Sequence, residues 1–282
     1  MNTLNLTYLK KHPVSFGLRL LVYLSAVMTV AVIFFLIGYI LWQGVPNLTL
    51  PGLFAWTYTS ENQSMMPAII NTGIMTALTL VIAVPVGVFA AIYLVEYAKR
   101  GNKFVKLIRI TAETLSGIPS IVYGLFGFIV FVITLGWSYT LLSGAITLSI
   151  MILPLIMRTT EEALMAVPDS YREGSFGLGA GRLRTVFRVI LPSAMPGILA
   201  GVILAIGRIV GESAALIFTA GTNPVVANSL FASASTLSVH MYALMTEGLH
   251  TEQAYAVAVV LLVFVILINA LSSFLAKKLT AR

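Results

Sequence analysis

Glu173-Gly174-Ser175-Phe176-Gly177-Leu178-Gly179, running on to Val189-Ile190-Leu191-Pro192, is the stretch on which the reading of this chain turns. Glu173 is followed by two small residues, and Gly179 closes the segment after three more. An aliphatic residue, Val189, and then Leu191-Pro192 complete the register. The stretch is polar and lies between two long apolar runs. Spacing this regular marks a docking element, because polar backbone outside a bilayer needs no such pattern.

The apolar runs dominate the rest. Of 282 residues, 59% are hydrophobic and 10% are charged, and the mean hydropathy is +0.97. No soluble domain of this length hides so much apolar surface, so the chain is read as an all-α polytopic membrane protein. The absence of cysteine excludes disulfides, thiolate catalysis and Cys-based metal sites.

The spacing predicts six spans, at about Leu18–Trp42, Pro67–Val95, Ala112–Leu135, Tyr139–Met157, Gly197–Ala220 and Ala254–Leu275. Each is long enough to cross a hydrocarbon core of about 30 Å. Pro85 is expected to bend the over-long second span. The first run exceeds a cleaved signal peptide and is expected to be a retained anchor. Residues 1–17 are read as an N-terminal segment on the cytosolic side. Residues 18–282 are read as one permease domain, with a core at about 67–275 and a coupling loop at 161–196.

Basic residues set the expected orientation. Lys10 and Lys11 precede the first span and Arg19 lies at its start; Lys99, Arg100, Lys103, Lys106 and Arg109 lie between the second and third. Arg158, Arg172, Arg182, Arg184 and Arg188 lie between the fourth and fifth, and Lys277, Lys278 and Arg282 follow the sixth. The connections at Gln43–Met66, Gly136–Ser138 and Gly221–Gln253 contain neither Lys nor Arg. The positive-inside rule then puts both termini in the cytoplasm. The net charge of +7 is thus a topology signal, and the cationic segments lack a nucleic-acid-binding fold.

Within the loop, Ser170-Tyr171-Arg172-Glu173 has capping-box spacing. Gly179 is the expected stop, which gives a helix of about two and a half turns with Tyr171, Ser175 and Leu178 on one face. A second short helix is expected to lie on the membrane surface. Leu183, Val186, Phe187 and Ile190 form one side, Arg182, Arg184 and Arg188 form the other, and Pro192 and Pro196 end it. Gly177-Leu178-Gly179-Ala180-Gly181 is not a nucleotide loop: it follows no strand and lacks the Gly-Lys-Ser/Thr ending.

Arg208 is the one cation deep inside a predicted span, Arg19 lying at the very start of the first. Counted from Gly197, it falls near the bilayer midplane, where an unpaired Arg costs at least about 2.5–3.5 kcal/mol. Glu212 follows at i+4, so structural neutralisation and a substrate path are both open, although Arg before Glu is the poorer order for such a pair. Ser213 follows directly. Ser116-Gly117-Ile118-Pro119-Ser120 frees backbone groups that lipid cannot satisfy, so it should face protein or a water-filled path. Asn71, Thr72 and Thr76 in the second span, with Ser143 and Thr147 in the fourth, are candidate path or packing residues. His240 and His250 are read as ordinary surface residues of the outer loop, and Asn228–Thr246 as a short helix or lid. Asp169 is the one Asp and no predicted span contains His, so an intramembrane catalytic site has no support.

The Glu173-to-Pro192 register resembles the EAA loop of ABC-importer permeases, with Gly174-Ser175 where that family has Ala-Ala and Val189 where it has Ile. Ser116 through Gly127, Glu162-Ala163-Leu164 through Gly174, and Ala205-Ile206-Gly207-Arg208 through Glu212-Ser213 resemble phosphate-importer permeases. Phe218-Thr219-Ala220-Gly221 leading to Asn223-Pro224 favours the PstA branch over PstC. The resemblance covers about Asn71 to the C-terminus.

It implies a type I ABC-importer permease in the bacterial inner membrane. The expected partners are a PstC-type second permease, two ATPase subunits, an extracytoplasmic phosphate-binding protein and membrane lipid, with no nucleic acid. It also implies a non-catalytic chain with no cofactor of its own, ATP and magnesium being bound by the ATPase. The implied path residues are Arg208, Glu212, Ser213, Ser116, Pro119, Ser120, Asn71 and Thr72. The implied ATPase-coupling residues are Ser170, Tyr171, Arg172, Glu173, Gly174, Ser175 and Gly179. A guanidinium grips two oxygens of an oxyanion, and Glu212 is expected to orient it or to read a phosphate O–H. A permease for sulfate, molybdate or phosphonate is the nearest alternative; a secondary transporter leaves the patterned loop unexplained.

Overall fold

A computed structural model of the chain describes residues 13–49, 52–99, 101–248 and 250–280. Lys10, Lys11, Arg100 and Arg282, used above for orientation, lie outside them. The described residues form helices and connecting segments, with no strand among them.

Four expected spans appear as single long helices: α1 (Pro13–Gly44), α2 (Met66–Ile92), α5 (Leu141–Met165) and α11 (Thr251–Thr280). A wider turn, Tyr93–Tyr97, prolongs α2, and Pro85 lies inside it. The third span departs from expectation. It is two helices, α3 (Lys103–Ser116) and α4 (Ser120–Gly127, prolonged to Thr134), bent by 102° at Gly117-Ile118-Pro119. Pro119 lacks an N–H and disfavours helical backbone at Ile118, so the chain must turn there.

The fifth span also departs. No surface helix ends at Pro192 and Pro196. Instead α6 (Asp169–Gly177) and α7 (Arg182–Thr185) are followed by a wide turn at Val186–Ile190 that carries the chain straight into α8 (Leu191–Val210). Pro192 occupies the first turn of α8, where no N–H is needed, and the wide turn relieves its clash with the preceding backbone. Of residues 161–196, 161–165 belong to α5 and 182–196 to this continuous helix. The helix breaks at Gly211-Glu212-Ser213 before α9 (Ala214–Thr219). Among the described residues, five helices are long and apolar enough to cross a membrane, and the bent pair makes a sixth crossing if it is one span.

Three buried clusters hold these parts together. The central one joins α2, α4, α5, α8 and α9 through Met75, Leu148, Met151, Ile152, Ile209 and Leu216. A second, with Leu94, Leu164, Val186 and Ile190, lies at the basic end of the bundle. A third, with Leu53, Leu237 and Val257, closes the opposite end and includes α10 (Leu237–Glu247). The two broken helices meet at Gly124, where an added Cβ would lie 2.8 Å from the Ala215 Cα. Such a close approach brings the breaks at 117–119 and 211–213 near one another. By contrast α1 has no buried stretch and touches the bundle along α11, where Tyr39 meets Tyr255 edge-on at 6.1 Å.

The segment at 221–236 is tied down rather than loose. Leu141 N–H donates to Ala232 O, Leu142 N–H to Leu230 O and Ala234 N–H to Ala220 O. The helix expected within Asn228–Thr246 is present as α10. His240 on it is a correction: it is 4% exposed, 3.3 Å from Gln63 O and edge-on to Tyr58. Apolar residues on both sides of α10 pull that face inward, and a periodicity obscured by Ser, Thr and His did not show it.

Candidate functional site

Two sites take shape in the bundle. The first is the α6 segment. Its C-terminus is a Schellman stop: Gly179 N–H donates to Phe176 O at 2.9 Å and Ala180 N–H to Ser175 O at 3.1 Å. Gly179 has φ +81°, the left-handed backbone that glycine adopts without a Cβ penalty. The helix is nine residues long, as the spacing predicts. The capping box is a correction. Pro168 starts the helix, no side chain caps it, and Ser170 lies inside its first turn, exposed.

Tyr171, Glu173, Gly174, Phe176 and Leu178 are exposed on α6, with Leu178 92% open. Ser175 faces inward, its Oγ 2.9 Å from Thr185 Oγ1, which joins α6 to α7. Arg172 turns inward as well. Its guanidinium meets Glu96 Oε1 at 2.7 Å and donates to Leu164 O and Val167 O. It also reaches Asp169 at 3.2 Å. Arg172 is therefore a strut between α6, the end of α2 and the end of α5. Arg182 adds a second tie over the Tyr97 ring at 5.7 Å.

The second site surrounds Arg208. This residue lies in the last turn of α8, where a helix dipole favours a cation. The expected Arg208–Glu212 pair is absent from the ion pairs among the described residues. Instead Glu212 Oε1 accepts from Ala215 N–H at 3.1 Å, and its carbonyl accepts from Ser238 Oγ at 2.6 Å. Glu212 thus holds the helix break, and Ser213 opens α9 beside it. The helix containing Arg208 starts at Arg182 rather than Gly197, so the depth counted from Gly197 loses its basis.

Arg208 lines a cavity of about 630 Å³ with Ser116 and Glu113 of α3 and Arg158, Glu161 and Glu162 of α5. Ser116 Oγ donates to Glu113 O. Pro119 is exposed at the kink, and Ser120 starts α4 half-buried. The sequence grouped Arg208 with Ser116, and both line this cavity, but the charged residues opposite were missed. Arg109 and Glu113 of α3 meet Arg158, Glu161 and Glu162 of α5 around one cavity only once the two helices pack together. Asn269 of α11 was also missed; its Oδ1 is buried without a partner among the described residues, and it faces Gly207.

Asn71 and Thr72 lie inside the bundle on α2. Both are buried at 0–1%. Asn71 Nδ2 donates to Val225 O and Ser235 O, and its Oδ1 accepts from Ala227 N–H. Thr72 Oγ1 donates to Ala68 O and accepts from Leu237 N–H at the start of α10. Their side chains clamp the far-end segment onto α2. Thr76 and Thr147 likewise bond back to their own helices.

The sequence profile of the binding-protein-dependent transport system inner membrane component family matches residues 83–282. The chain is 37% identical to the probable ABC transporter permease protein YqgI of Bacillus subtilis (strain 168), over 92% of this chain and 95% of that protein. It is 34% identical to the phosphate transport system permease protein PstA 1 of Mycobacterium tuberculosis (strain CDC 1551 / Oshkosh), over 72% of this chain and 67% of that one. Among solved structures, a chain of a bacterial alginate ABC transporter in complex with its alginate pentasaccharide-bound periplasmic protein superposes with a TM-score of 0.70 at 15% identity. It covers 96% of this chain and 98% of that chain. That likeness is one of fold.

Proposed function

Because this chain belongs to the binding-protein-dependent transport system inner membrane component family, we propose that it forms part of the membrane path of an ATP-driven importer for inorganic phosphate. As an inner-membrane permease component it is multi-pass and non-catalytic, and ATP hydrolysis belongs to partner subunits. The observation that carries the substrate reading is Arg208, a guanidinium with no carboxylate partner among the described residues, at a helix break and open to a cavity. Such a group binds a tetrahedral oxyanion through two oxygens. The likeness to a phosphate permease supports phosphate among oxyanions.

The partners are those of such an importer: a second permease of PstC type, two cytosolic ATPases that bind ATP and magnesium, and an extracytoplasmic phosphate-binding protein. Exposed Tyr171, Glu173, Phe176 and Leu178 on α6 supply the ATPase-docking face. The basic end faces the cytoplasm, and α10 with residues 221–236 faces the binding protein. The test is uptake of radiolabelled phosphate into liposomes holding the chain with its co-purified partners, against sulfate, molybdate and phosphonate. ATP-dependent uptake competed by none of the three supports the reading; preferential uptake of any of them replaces it.

A further inference from the structure

The cavity beside Arg208 holds two ion pairs of different character. Arg109 pairs with Glu161, whose side chain is only 10% exposed against 48% for Arg109, so the carboxylate of this pair is part of the wall. Arg158 pairs with Glu162 at 3.0 Å, and both side chains are open, at 67% and 59%. The open pair is poorly explained as a stabilising device. Exposed i,i+4 pairs contribute little, and Arg before Glu is the weaker order on a helix.

Its geometry leaves binding capacity in hand. Arg158 uses Nε to reach Glu162 Oε1. Its two terminal nitrogens make no hydrogen bond among the described residues, so the edge that grips an oxyanion bidentately is free. With Arg109, Arg158 and Arg208 against Glu113, Glu161 and Glu162, the cavity's formal charges cancel. A neutral vestibule lined by exchangeable charges suits passage, which needs binding strong enough to admit an ion and weak enough to release it.

We propose that Arg158 is a second oxyanion contact on the path, taking phosphate from Arg208, with Glu162 as a resident counterion that yields to the anion and afterwards expels it. This rests on the phosphate reading above. Lys106, Lys99 and Arg172 line the neighbouring groove toward the basic end, so an anion leaving Arg158 remains among cations.

The test uses the assembled complex in liposomes, with inorganic phosphate as probe and three variants: Arg158→Gln, Glu162→Gln and the double change. We expect Arg158→Gln to lower uptake by about tenfold or more, the loss of one charge-assisted contact, with ATPase co-purification intact. Glu162→Gln should retain severalfold more phosphate on the washed complex and turn over more slowly. The double variant should stay as low as Arg158→Gln. A silent Arg158→Gln, or recovery of wild-type uptake in the double, would show a merely structural pair and overturn the proposal. If Arg158→Gln fails to assemble, Glu162→Gln decides: unchanged retention overturns it. Absence of phosphate uptake by the unmodified complex instead removes the reading beneath.

Discussion

Arg172 Nη2 lies 2.7 Å from Glu96 Oε1, joining a helix of the connecting loop to the end of a helix 76 residues earlier in the chain. Both side chains are largely buried, at 16% and 8% exposed. Two further donations, to Leu164 O and Val167 O, satisfy carbonyls where α5 ends. Arg172 thereby ties α6 to α2 and α5 together, and on the proposed function a push on α6 is delivered to both. Removing Arg172 leaves Glu96 buried without its partner, a loss of about 3–5 kcal/mol in comparable pairs. Arg172→Ala is therefore expected to loosen α6, with faster protease cleavage near 169–181 and reduced ATPase co-purification. Arg172→Lys keeps the charge but loses the fork and should fall between. Unchanged cleavage in Arg172→Ala would count against the strut.

Gly179 offers a cleaner separation of backbone from contact. An added Cβ there meets nothing within 4 Å, but φ is +81°. Gly179→Ala should then cost about 1–2 kcal/mol of local conformational strain, without any clash inside the chain. Gly177 sits in the helix, also with open space around it, so Gly177→Ala should be neutral or stabilise α6 by about 0.5–1 kcal/mol. Uptake and ATPase stimulation measured side by side should fall for Gly179→Ala and hold for Gly177→Ala. Equal behaviour of the two would remove the left-handed stop from the account of coupling.

His240 makes the far end sensitive to acid. Burial pushes its imidazole below the ordinary histidine range, against the opposing bond from Gln63 O. The unfolded chain, with a pKa near about 6.5, takes up the proton first. The stability due to neutral His240 is thus complete above about pH 6.5 and declines as pH falls toward the lowered folded value. Thermal unfolding between pH 7.5 and pH 5 should show a fall in Tm that His240→Gln flattens. An equal fall in both proteins would assign the acid response elsewhere.

Much of this was legible in the chain itself. Long apolar runs and the polar Glu173-to-Pro192 register were enough for the class, because hydrocarbon admits few alternatives for backbone polar groups. Gly179 as a stop could be read because its geometry is local. What stayed hidden depends on distant partners. Asn71 looks like any intramembrane amide until residues 225–235 fold onto it. Arg172 looks like a displayed charge until the end of α2 arrives with Glu96. Arg208 and Glu212, at i,i+4, would pair on a continuous helix. The break at Gly211 separates them and gives the carboxylate to Ala215 N–H. The helix end expected at Pro192 and Pro196 failed because Pro192 falls in the first turn of α8, just after the wide turn, and Pro196 is accommodated inside the helix.

The most direct test of the central claim is phosphate uptake by the reconstituted complex carrying Arg208→Gln, alone and with Glu212→Gln. The amide oxygen left by Glu212→Gln can still accept from Ala215 N–H, so the cap survives in both, and Arg208 has no ion pair among the described residues whose loss would need compensation. If Arg208 contacts phosphate, Arg208→Gln inserts, assembles with the ATPase and carries no phosphate, and the second change restores nothing. Wild-type uptake by Arg208→Gln, or its recovery in the double variant, would contradict the account.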